Sequence, residues 1–430
     1  MSTPALSTTA ASKPLSDFRS LGPWYIAAIL HSYAATLFSI GCYDFADKQL
    51  HASAATRLWL SAIWGFGYIF IAIVAGKFTV KYGPRRFLSF MLPACLAAQL
   101  LALLILPTPV QYGIPVLIVL MILLNVTSSS CWPALETATS RSPAKMPLST
   151  RMAIYNICWS TTGFAAVFTK GVLQEVWWGL IFVGPAIATL GICVLLFGFS
   201  IPDAMMGQEN VPEEAHDETE IDTPAMRRRA MTLLHMAWIS NAMSYVAGNV
   251  ISPVLIFLAM AAWVSYYGHE VSLTVAGIVT SVSGLARMAG FILTMKCKFW
   301  HYKARWLVGA QAAMTLAFLM MLTWHQPLAL ILTQVIFGLA LALIYSSSLY
   351  YAMHTSEGSG EHAGFHEALI GAGMCVGPAI GALAAAGAST DFHAQLGSLH
   401  RVAYVVTGLL LLGTAAMAYL AMRRGDKVTG

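Results

Sequence analysis

Long apolar runs recur along this chain, and they restrict what it can fold into. A helix needs about 20 mostly apolar residues to cross the hydrocarbon core of a bilayer. We find such runs at 22–46, 56–78, 86–107, 112–136, 151–175, 178–200, 230–256, 271–295, 303–324, 327–352, 362–388 and 400–422. Only 10% of the residues are charged, against about 25% in soluble domains. The sequence therefore predicts an all-α membrane protein with twelve transmembrane helices.

Basic residues predict how these helices are oriented. Cytoplasmic loops are enriched in Lys and Arg. With the N-terminus in the cytoplasm, every Lys and Arg falls on the cytoplasmic side or in a cytoplasmic tail, except for Lys48, Arg57, Lys170, Arg287 and Arg401. The polar start and the long first apolar run predict an uncleaved first helix. We therefore expect both termini in the cytoplasm, most simply of a bacterium with the chain in its inner membrane.

The net charge of +5 needs no nucleic-acid partner, because basic loops facing anionic lipid account for it.

An acid-rich segment at 201–229 divides the apolar pattern in two. Such a polar, charged stretch is typical of a solvated linker. It predicts two six-helix bundles, at 21–200 and 230–422, with short cytoplasmic tails at 1–20 and 423–430. A regulatory role for the linker and a plain spacer both remain open.

The two halves look like repeats of each other. Residues 128–136 and 346–354 share a serine triplet, a following aromatic residue and an alanine without a gap. In the next span of each half, Gly163 and Gly171 align with Gly373 and Gly381, and the two glycines are eight residues apart in both halves. Parallel repeats place a binding site at the interface between halves, near the midplane.

The loop after the second span carries the sharpest motif. Gly83-Pro84 predicts a tight turn, and five residues follow a pattern of glycines and bases that resembles the corresponding loop of the major facilitator superfamily: Gly76, Lys81, Gly83, Arg85 and Arg86. Val80 stands where that family has an acid that helps to latch the cytoplasmic side, so the latch stays an open question. The resemblance covers the whole chain and implies that family's fold, with two pseudo-symmetric six-helix bundles, and transport of a small molecule.

A second motif lies in the eleventh span, at Gly373, Gly377, Pro378 and Gly381. Spaced small residues let helices approach closely, and the proline loosens the backbone. The motif resembles one that antiporters of the family carry in the fifth span. Its different position, and the lack of an arginine in the fourth span, do not favour a drug antiporter.

The resemblance implies that spans 1, 4, 7 and 10 line a central cavity. Polar side chains inside a membrane are costly and usually face the protein interior. The candidates for substrate binding on these spans are His31, Tyr33, Asn125, Trp132, Asn241, Tyr245, Asn249, Tyr345 and Tyr350. For each of them, a hydrogen bond to a neighbouring helix is the alternative. Together they suit hydroxylated, amphipathic or heteroaromatic solutes.

Three further residues are candidates for proton coupling. Glu367 is the clearest carboxylate inside a span, and His366 lies beside it. Burial favours the neutral form of a carboxyl group, and an imidazole exchanges protons near neutrality. Arg287 pairs with Glu367 in the reading that we prefer, and binds an anionic substrate group in the other. The alternative for Glu367 is a purely structural role, while Lys170 and Glu175 are expected to reach the outer surface as structural residues.

These features favour a secondary transporter for a small organic solute, working by alternating access with or without protons. The seven cysteines show no metal-ligand spacing, and there is no phosphate-binding loop. We therefore expect no metal, no cofactor and no enzymatic activity, and a monomer whose partners are its substrate, protons and the bilayer. A transporter-like sensor without transport, and a membrane-embedded enzyme, are the alternatives.

Overall fold

The computed structural model describes residues 17–142, 144–198, 224–355 and 361–425. Over these ranges the regular structure is helical. It forms twelve segments, α1 Asp17–Lys48, α2 Ala54–Tyr82, α3 Pro84–Ile105, α4 Val110–Arg141, α5 Leu148–Val176, α6 Leu180–Gly198, α7 Pro224–Ile251 with Leu255–Tyr267, α8 Leu273–Lys296, α9 Ala304–Thr323, α10 Pro327–Thr355, α11 Glu361–Ala385 and α12 Phe392–Gly425.

Ten of these segments are long and apolar enough to cross a membrane, and the bent α7 makes eleven. The two parts of α7 meet at 58°, where Pro253 interrupts the backbone hydrogen bonding. Helix α5 has 29 residues, enough to span, but it is not in this set and carries Lys170 and Glu175. Of the twelve predicted spans, ten or eleven are thus supported by length and composition within the described residues.

Local signals fix where several helices begin. Gly83, with φ of 84°, ends α2 and is followed by Pro84 in the first turn of α3. A positive φ favours glycine, and proline suits the first helical position. The side chains of Ser53 and Ser272 accept hydrogen bonds from the backbone N–H groups three residues later and so cap α2 and α8. The tight turn predicted at Gly83-Pro84 is therefore present.

Two predicted boundaries differ from the structure. Helix α7 begins at Pro224 and α1 at Asp17, so residues 224–229 and 17–20 are helical and not part of a linker or tail. The three arginines at 227–229 are good helix formers and extend α7 beyond its apolar part. The remainder of the predicted linker, at 201–223, lies outside the described residues.

Successive helices run in opposite directions, so that α1 begins and α12 finishes at the same end of the bundle. We call this the terminal end and the other the distal end. The distal end carries the short connections at 49–53, 106–109, 177–179, 268–272, 324–326 and 386–391.

Each half has its own apolar core. One large cluster fills the second half, and two clusters fill the first. The halves meet chiefly where α2 packs on α11 and α5 on α8. Glycines permit this approach, since a Cβ at Gly65 would collide with the backbone of Met374, and one at Gly171 with the carbonyl of Leu273.

The glycines that align between the halves occupy matching places. Gly163 lies near α1 and Gly373 against α7, which are the first helices of their halves. Gly171 lies against α8, and Gly381 lies near Leu58 of α2. The second pair therefore faces the other half in both cases, as a pseudo-symmetric pair of bundles requires.

Candidate functional site

Aromatic side chains from both halves meet around Trp159 of α5. Its ring centroid lies 5.7 Å from that of Phe291 in α8 and 5.7 Å from that of Tyr345 in α10. Trp132 of α4 is 6.5 Å away on the other side. All these ring pairs are edge-to-face, a favourable geometry. We call this group, together with the charged residues described next, the central site.

Arg287 of α8 contributes the positive charge of the central site. Its guanidinium carbon lies 4.8 Å from the centroid of the Trp159 ring, a cation–π contact between the halves. It interacts electrostatically with the hydroxyls of Tyr245 and Tyr345. Its Nε is buried without a hydrogen-bond partner. Among the described residues it forms no ion pair with Glu367, so the expected internal pair is absent from this structure.

The central site contains two carboxyl groups, one from each half. Glu367 of α11 accepts a 2.6 Å hydrogen bond from the hydroxyl of Tyr68 in α2. Glu136 of α4 interacts electrostatically with Glu367. Tyr245 interacts electrostatically with both carboxyl groups and with Arg287. The central site therefore holds one guanidinium and two carboxyl groups.

His366 is buried beside these groups. Its Nδ1 is 3.0 Å from the Ser348 hydroxyl, and its ring lies 5.6 Å from that of Tyr345. Its Nε2 has no partner. The imidazole thus touches the aromatic part of the site rather than the Tyr68–Glu367 hydrogen bond.

Of the nine candidates for substrate binding, three lie in the central site: Trp132, Tyr245 and Tyr345. Asn241 is fully buried, and neither atom of its side-chain amide has a partner. Because it precedes Tyr245 by four residues, it shares that helix face.

Four other candidates bond to backbone or side chains within their own half. His31 lies 3.1 Å from the Ser128 carbonyl, and Tyr33 lies 3.0 Å from the Thr169 hydroxyl. Asn125 donates to the Trp64 carbonyl, and Asn249 donates to the carbonyl of Tyr245 in its own helix. The first three of these side chains join neighbouring helices in this structure, the alternative that their sequence pattern left open, whereas Asn249 bonds within its own helix. His31 also packs against the edge of Trp132, at 4.8 Å between centroids.

Tyr350 lies apart from the central site. Its ring is stacked 4.2 Å from His301 and lies 5.2 Å from Trp300, in the connection between α8 and α9. The prediction that it lines a cavity opposite Trp132 is not supported by this placement. The reason is helix rotation, since residue 350 follows Tyr345 by five positions and points to another face.

The residues of the loop motif lie at the terminal end. Arg85 donates to the Leu196 carbonyl at 3.1 Å, and Lys81 lies 5.1 Å over the ring of Tyr82. Arg86 is exposed, and nothing lies within 4 Å of a Cβ built at Gly76. Val80, at the position of the missing acid, is 61% exposed. An exposed valine there provides no charge for a latch.

The small residues of the second motif bring α11 against α7. A Cβ at Gly373 would lie 2.5 Å from the Ala242 carbonyl, and one at Gly377 would lie 2.6 Å from the Val246 carbonyl. Pro378 lies within α11, and Gly381 lies beyond it. These glycines thus set the position of the helix that carries Glu367.

Lys170 does not reach the outer surface as expected. It is 2% exposed and forms a 2.6 Å ion pair with Asp44 of α1. Gln174 donates to the same carboxylate oxygen at 3.0 Å. A charge in this position is compensated within the protein, which costs less than exposure to lipid. Glu175, by contrast, is exposed and bonds to Thr274 of α8.

Sequence reasoning missed Trp159, Phe291, Tyr68 and Glu136 as site residues. It took spans 1, 4, 7 and 10 as the lining, whereas α2, α5, α8 and α11 also supply side chains. Glu136 is the last residue of the repeated segment 128–136, and Trp159 is an aromatic residue in a span with polar neighbours. Those are signals that could have pointed to them.

Comparison with known proteins agrees with this architecture. The family model described as Major Facilitator Superfamily matches residues 24–360. The structure of a bacterial homologue of the human drug peptide transporters PepT1 and PepT2 has a TM-score of 0.71 at 12% identity, covering 95% of this chain and 100% of that one. A bacterial homologue of the human lysosomal transporter Spinster, in an inward-facing and occupied conformation, gives 0.68 at 13%, covering 96% and 98%.

The nucleoside transporter NupG gives a TM-score of 0.68 at 13% identity, covering 93% of this chain and 98% of that one. A search against curated proteins finds no match by sequence. At these identities the structural likeness shows the fold alone.

The match to this family points to a membrane transporter and not to an enzyme. The chain belongs to the major facilitator superfamily.

Proposed function

We propose that this protein is a secondary active transporter that moves a small organic solute across the membrane by alternating access. The observation that carries the proposal is that the central site is built from both halves and contains charges of both signs. A solute bound there would contact both halves, so that a rocking motion of one half against the other would move it between the two ends.

Contacts between the halves at the distal end support this proposal. Arg57 of α2 donates to Gln395 of α12 at 2.7 Å. Ser61 donates to the Asn249 carbonyl at 3.1 Å. Glu175 accepts from the Thr274 hydroxyl at 2.6 Å. These bonds join the two halves at the distal end, and an alternating-access cycle would require them to break when that end opens.

Proton coupling is the second part of the proposal. Glu367 and Glu136 interact, so the protonation of one depends on the charge state of the other. The hydroxyl of Tyr68 links Glu367 to α2, which belongs to the other half. Gain or loss of a proton would therefore alter a contact between the halves, which is the link that coupling needs.

We further propose that the terminal end faces the cytoplasm, as the basic residues favour. Cysteines introduced at Lys81, at the terminal end, and at Thr108, at the distal end, test this. None of the seven native cysteines is exposed, so background labelling is low. With an impermeant thiol reagent on intact cells, the cysteine at 108 reacts and that at 81 does not. The reverse pattern would invert the assignment.

The decisive measurement is flux in proteoliposomes containing the purified full-length chain. Vesicles are incubated with a defined mixture of nucleosides, dipeptides and aromatic monocarboxylates, and the trapped solutes are identified by mass spectrometry. The first two classes are those of the nucleoside and peptide transporters to which the fold is similar. We expect saturable uptake of at least one class above that of protein-free vesicles. Binding without uptake would favour the sensor alternative.

A further inference from the structure

Most basic side chains buried within the helices have an oxygen partner. Arg57 has a 3.1 Å ion pair with Asp47 and a bond to Gln395. Lys170 is paired with Asp44. Arg151 donates to the carbonyls of Ser140 and Ser142. An uncompensated buried charge is costly, by several kcal/mol after relaxation, and these partners offset the cost.

Arg287 differs from these three. In the part of the chain that the structure describes, it has no carboxylate or carbonyl partner within ion-pair or hydrogen-bond distance. Its contacts are the face of Trp159 and the electrostatic influence of two tyrosine hydroxyls. Arg287 as a whole is half-buried. A cation–π contact contributes about 0.5–2 kcal/mol, which only partly offsets the cost of removing a charge from water. A half-buried guanidinium without an anionic partner is available to an anionic group of a ligand.

Asn241 supplies an independent observation. Its side chain is completely buried, and both its amide nitrogen and its amide oxygen lack partners. Buried polar groups in proteins are nearly always hydrogen-bonded. It lies on the face of α7 that carries Tyr245, which interacts with Arg287. An amide with an unused donor, one helical turn from a tyrosine that interacts with Arg287, fits a ligand oxygen.

We propose that Arg287 and Asn241 bind the carboxylate of a small aromatic monoacid, whose ring packs among Trp159, Trp132 and Tyr345. This names the substrate class of the central site and rests on the proposed function. A guanidinium matches a carboxylate with two parallel hydrogen bonds. The rings around Trp159 would supply aromatic, apolar contacts to the body of the ligand.

The charge balance favours a monoanion over a phosphate. Glu136 and Glu367 lie in the same site and, like Arg287, interact electrostatically with Tyr245. Their negative charge would repel a dianion, whereas one guanidinium neutralises a single carboxylate. Close to these two carboxyl groups, a neutral or hydrogen-bond-donating part of the ligand would be favoured over a second anionic group.

Thermal unfolding of the purified full-length protein tests the assignment. The probes are benzoate, 4-hydroxybenzoate and indole-3-acetate, each compared with its neutral amide and with phenyl phosphate. A ligand of the folded state raises the unfolding temperature by mass action, and we expect at least one carboxylate to raise it by about 3 °C or more. The amides and phenyl phosphate should have a smaller effect.

The matched variants are Arg287→Met and Arg305→Met, the latter at an exposed arginine in the first turn of α9. The carboxylate shift disappears in Arg287→Met and persists in Arg305→Met. Equal shifts with amides, a shift that survives in Arg287→Met, or no shift with any carboxylate would each overturn the assignment. A larger shift with phenyl phosphate than with any carboxylate would also overturn the assignment, because it would show that the site prefers a phosphate.

A second measurement needs no ligand. If Arg287 is uncompensated in the free protein, Arg287→Met leaves the unfolding temperature unchanged or raises it, while Arg57→Met lowers it. An equal fall in both variants would show that Arg287 is a structural partner.

Flux separates this inference from the proposed function. Saturable uptake of a nucleoside or dipeptide at the same rate in the wild type and in Arg287→Met would support the proposed transport function and refute the carboxylate site. Carboxylate binding without uptake would do the opposite.

Discussion

Asp44 and Lys170 form an ion pair inside the first half, outside the central site. Both side chains are 2% exposed or less, and Gln174 bonds to the same oxygen. The pair links α1 to α5. Since α5 also carries Trp159, the pair fixes the helix that supplies the centre of the aromatic group.

We predict that Lys170→Met alone destabilises the protein by about 3–5 kcal/mol, because it leaves the Asp44 carboxylate buried without its cation. The double variant Asp44→Leu with Lys170→Met should recover most of this loss, since neither charge remains. Thermal unfolding in detergent measures both. A double variant as unstable as the single one would mean that packing, and not charge, is what Lys170 provides.

Glu367 is the residue on which the proposed proton coupling depends. We predict that Glu367→Gln abolishes uptake driven by a pH gradient but preserves exchange of substrate for substrate, because exchange needs no net proton movement. Tyr68→Phe is the matched variant: it removes the 2.6 Å hydrogen bond and retains the carboxyl group. It should weaken concentrative uptake without abolishing it.

Counterflow and gradient-driven uptake in the same proteoliposomes distinguish the outcomes for these variants. Continued accumulation by Glu367→Gln would exclude this carboxyl as the coupling group. Loss of counterflow as well would assign it to binding or structure.

At this scale the sequence could identify Trp132, Tyr245 and Tyr345 because they are aromatic residues on expected lining helices. It could not predict that Tyr345 lies in the central site and Tyr350 outside it, since the rotation of a helix about its axis depends on tertiary packing. It also could not find the partner of a charge, as Lys170 illustrates, because that partner lies 126 positions away in the chain.

Helix α11 is positioned by its glycines. Gly373 and Gly377 lie against the backbone of α7, while Gly371 lies against Ile69 of α2. One helix is thus held between its own half and the other. Small residues at such interfaces let backbones approach closely, and van der Waals packing there drives helix association in a bilayer.

We predict that Gly377→Leu destabilises the protein by about 1–3 kcal/mol or more, because its Cβ would lie 2.6 Å from the Val246 carbonyl and the neighbouring atoms are backbone. Gly408→Leu in α12 is the control, since nothing lies within 4 Å of a Cβ there. Unfolding temperature and elution as a single species measure the effect. Equal behaviour of the two variants would show that α11 can shift away from α7 at little cost.

The sequence predicted most elements well and their ends less well. Apolar length identified the spans, and Gly83-Pro84 marked the turn between α2 and α3. The start of α7 was missed, because the residues from Pro224 to Arg229 are polar and the prediction relied on hydropathy. Helix propensity, which favours arginine, decided this boundary instead.

At the scale of the whole molecule, several contacts join the two halves at the distal end. Arg57 is completely buried and binds Asp47 in α1 as well as the Pro253 carbonyl and Gln395 in the second half. It also lies 5.4 Å from the ring centroid of Phe257. The sequence placed this arginine at the non-cytoplasmic end of the second predicted span. Its burial follows from the meeting of the two halves, which no local pattern specifies.

The contact between α5 and α8 at the distal end gives a direct test of alternating access. Glu175 and Thr274 are joined by two hydrogen bonds, of 3.0 and 2.6 Å, and both are accessible from the distal side. Cysteines at these two positions should form a disulfide on mild oxidation.

If transport requires the distal end to open, that disulfide blocks flux, and a reductant restores it. The Glu175→Cys variant alone is the control, and oxidation should leave its flux unchanged, because a single thiol at this position has no partner. Substrate binding, measured by thermal shift, should persist in the oxidised double variant when the terminal end remains free to open. Unimpeded flux through the cross-linked protein would mean that α5 and α8 stay together at this end during transport, and the motion would then have to lie elsewhere between the halves.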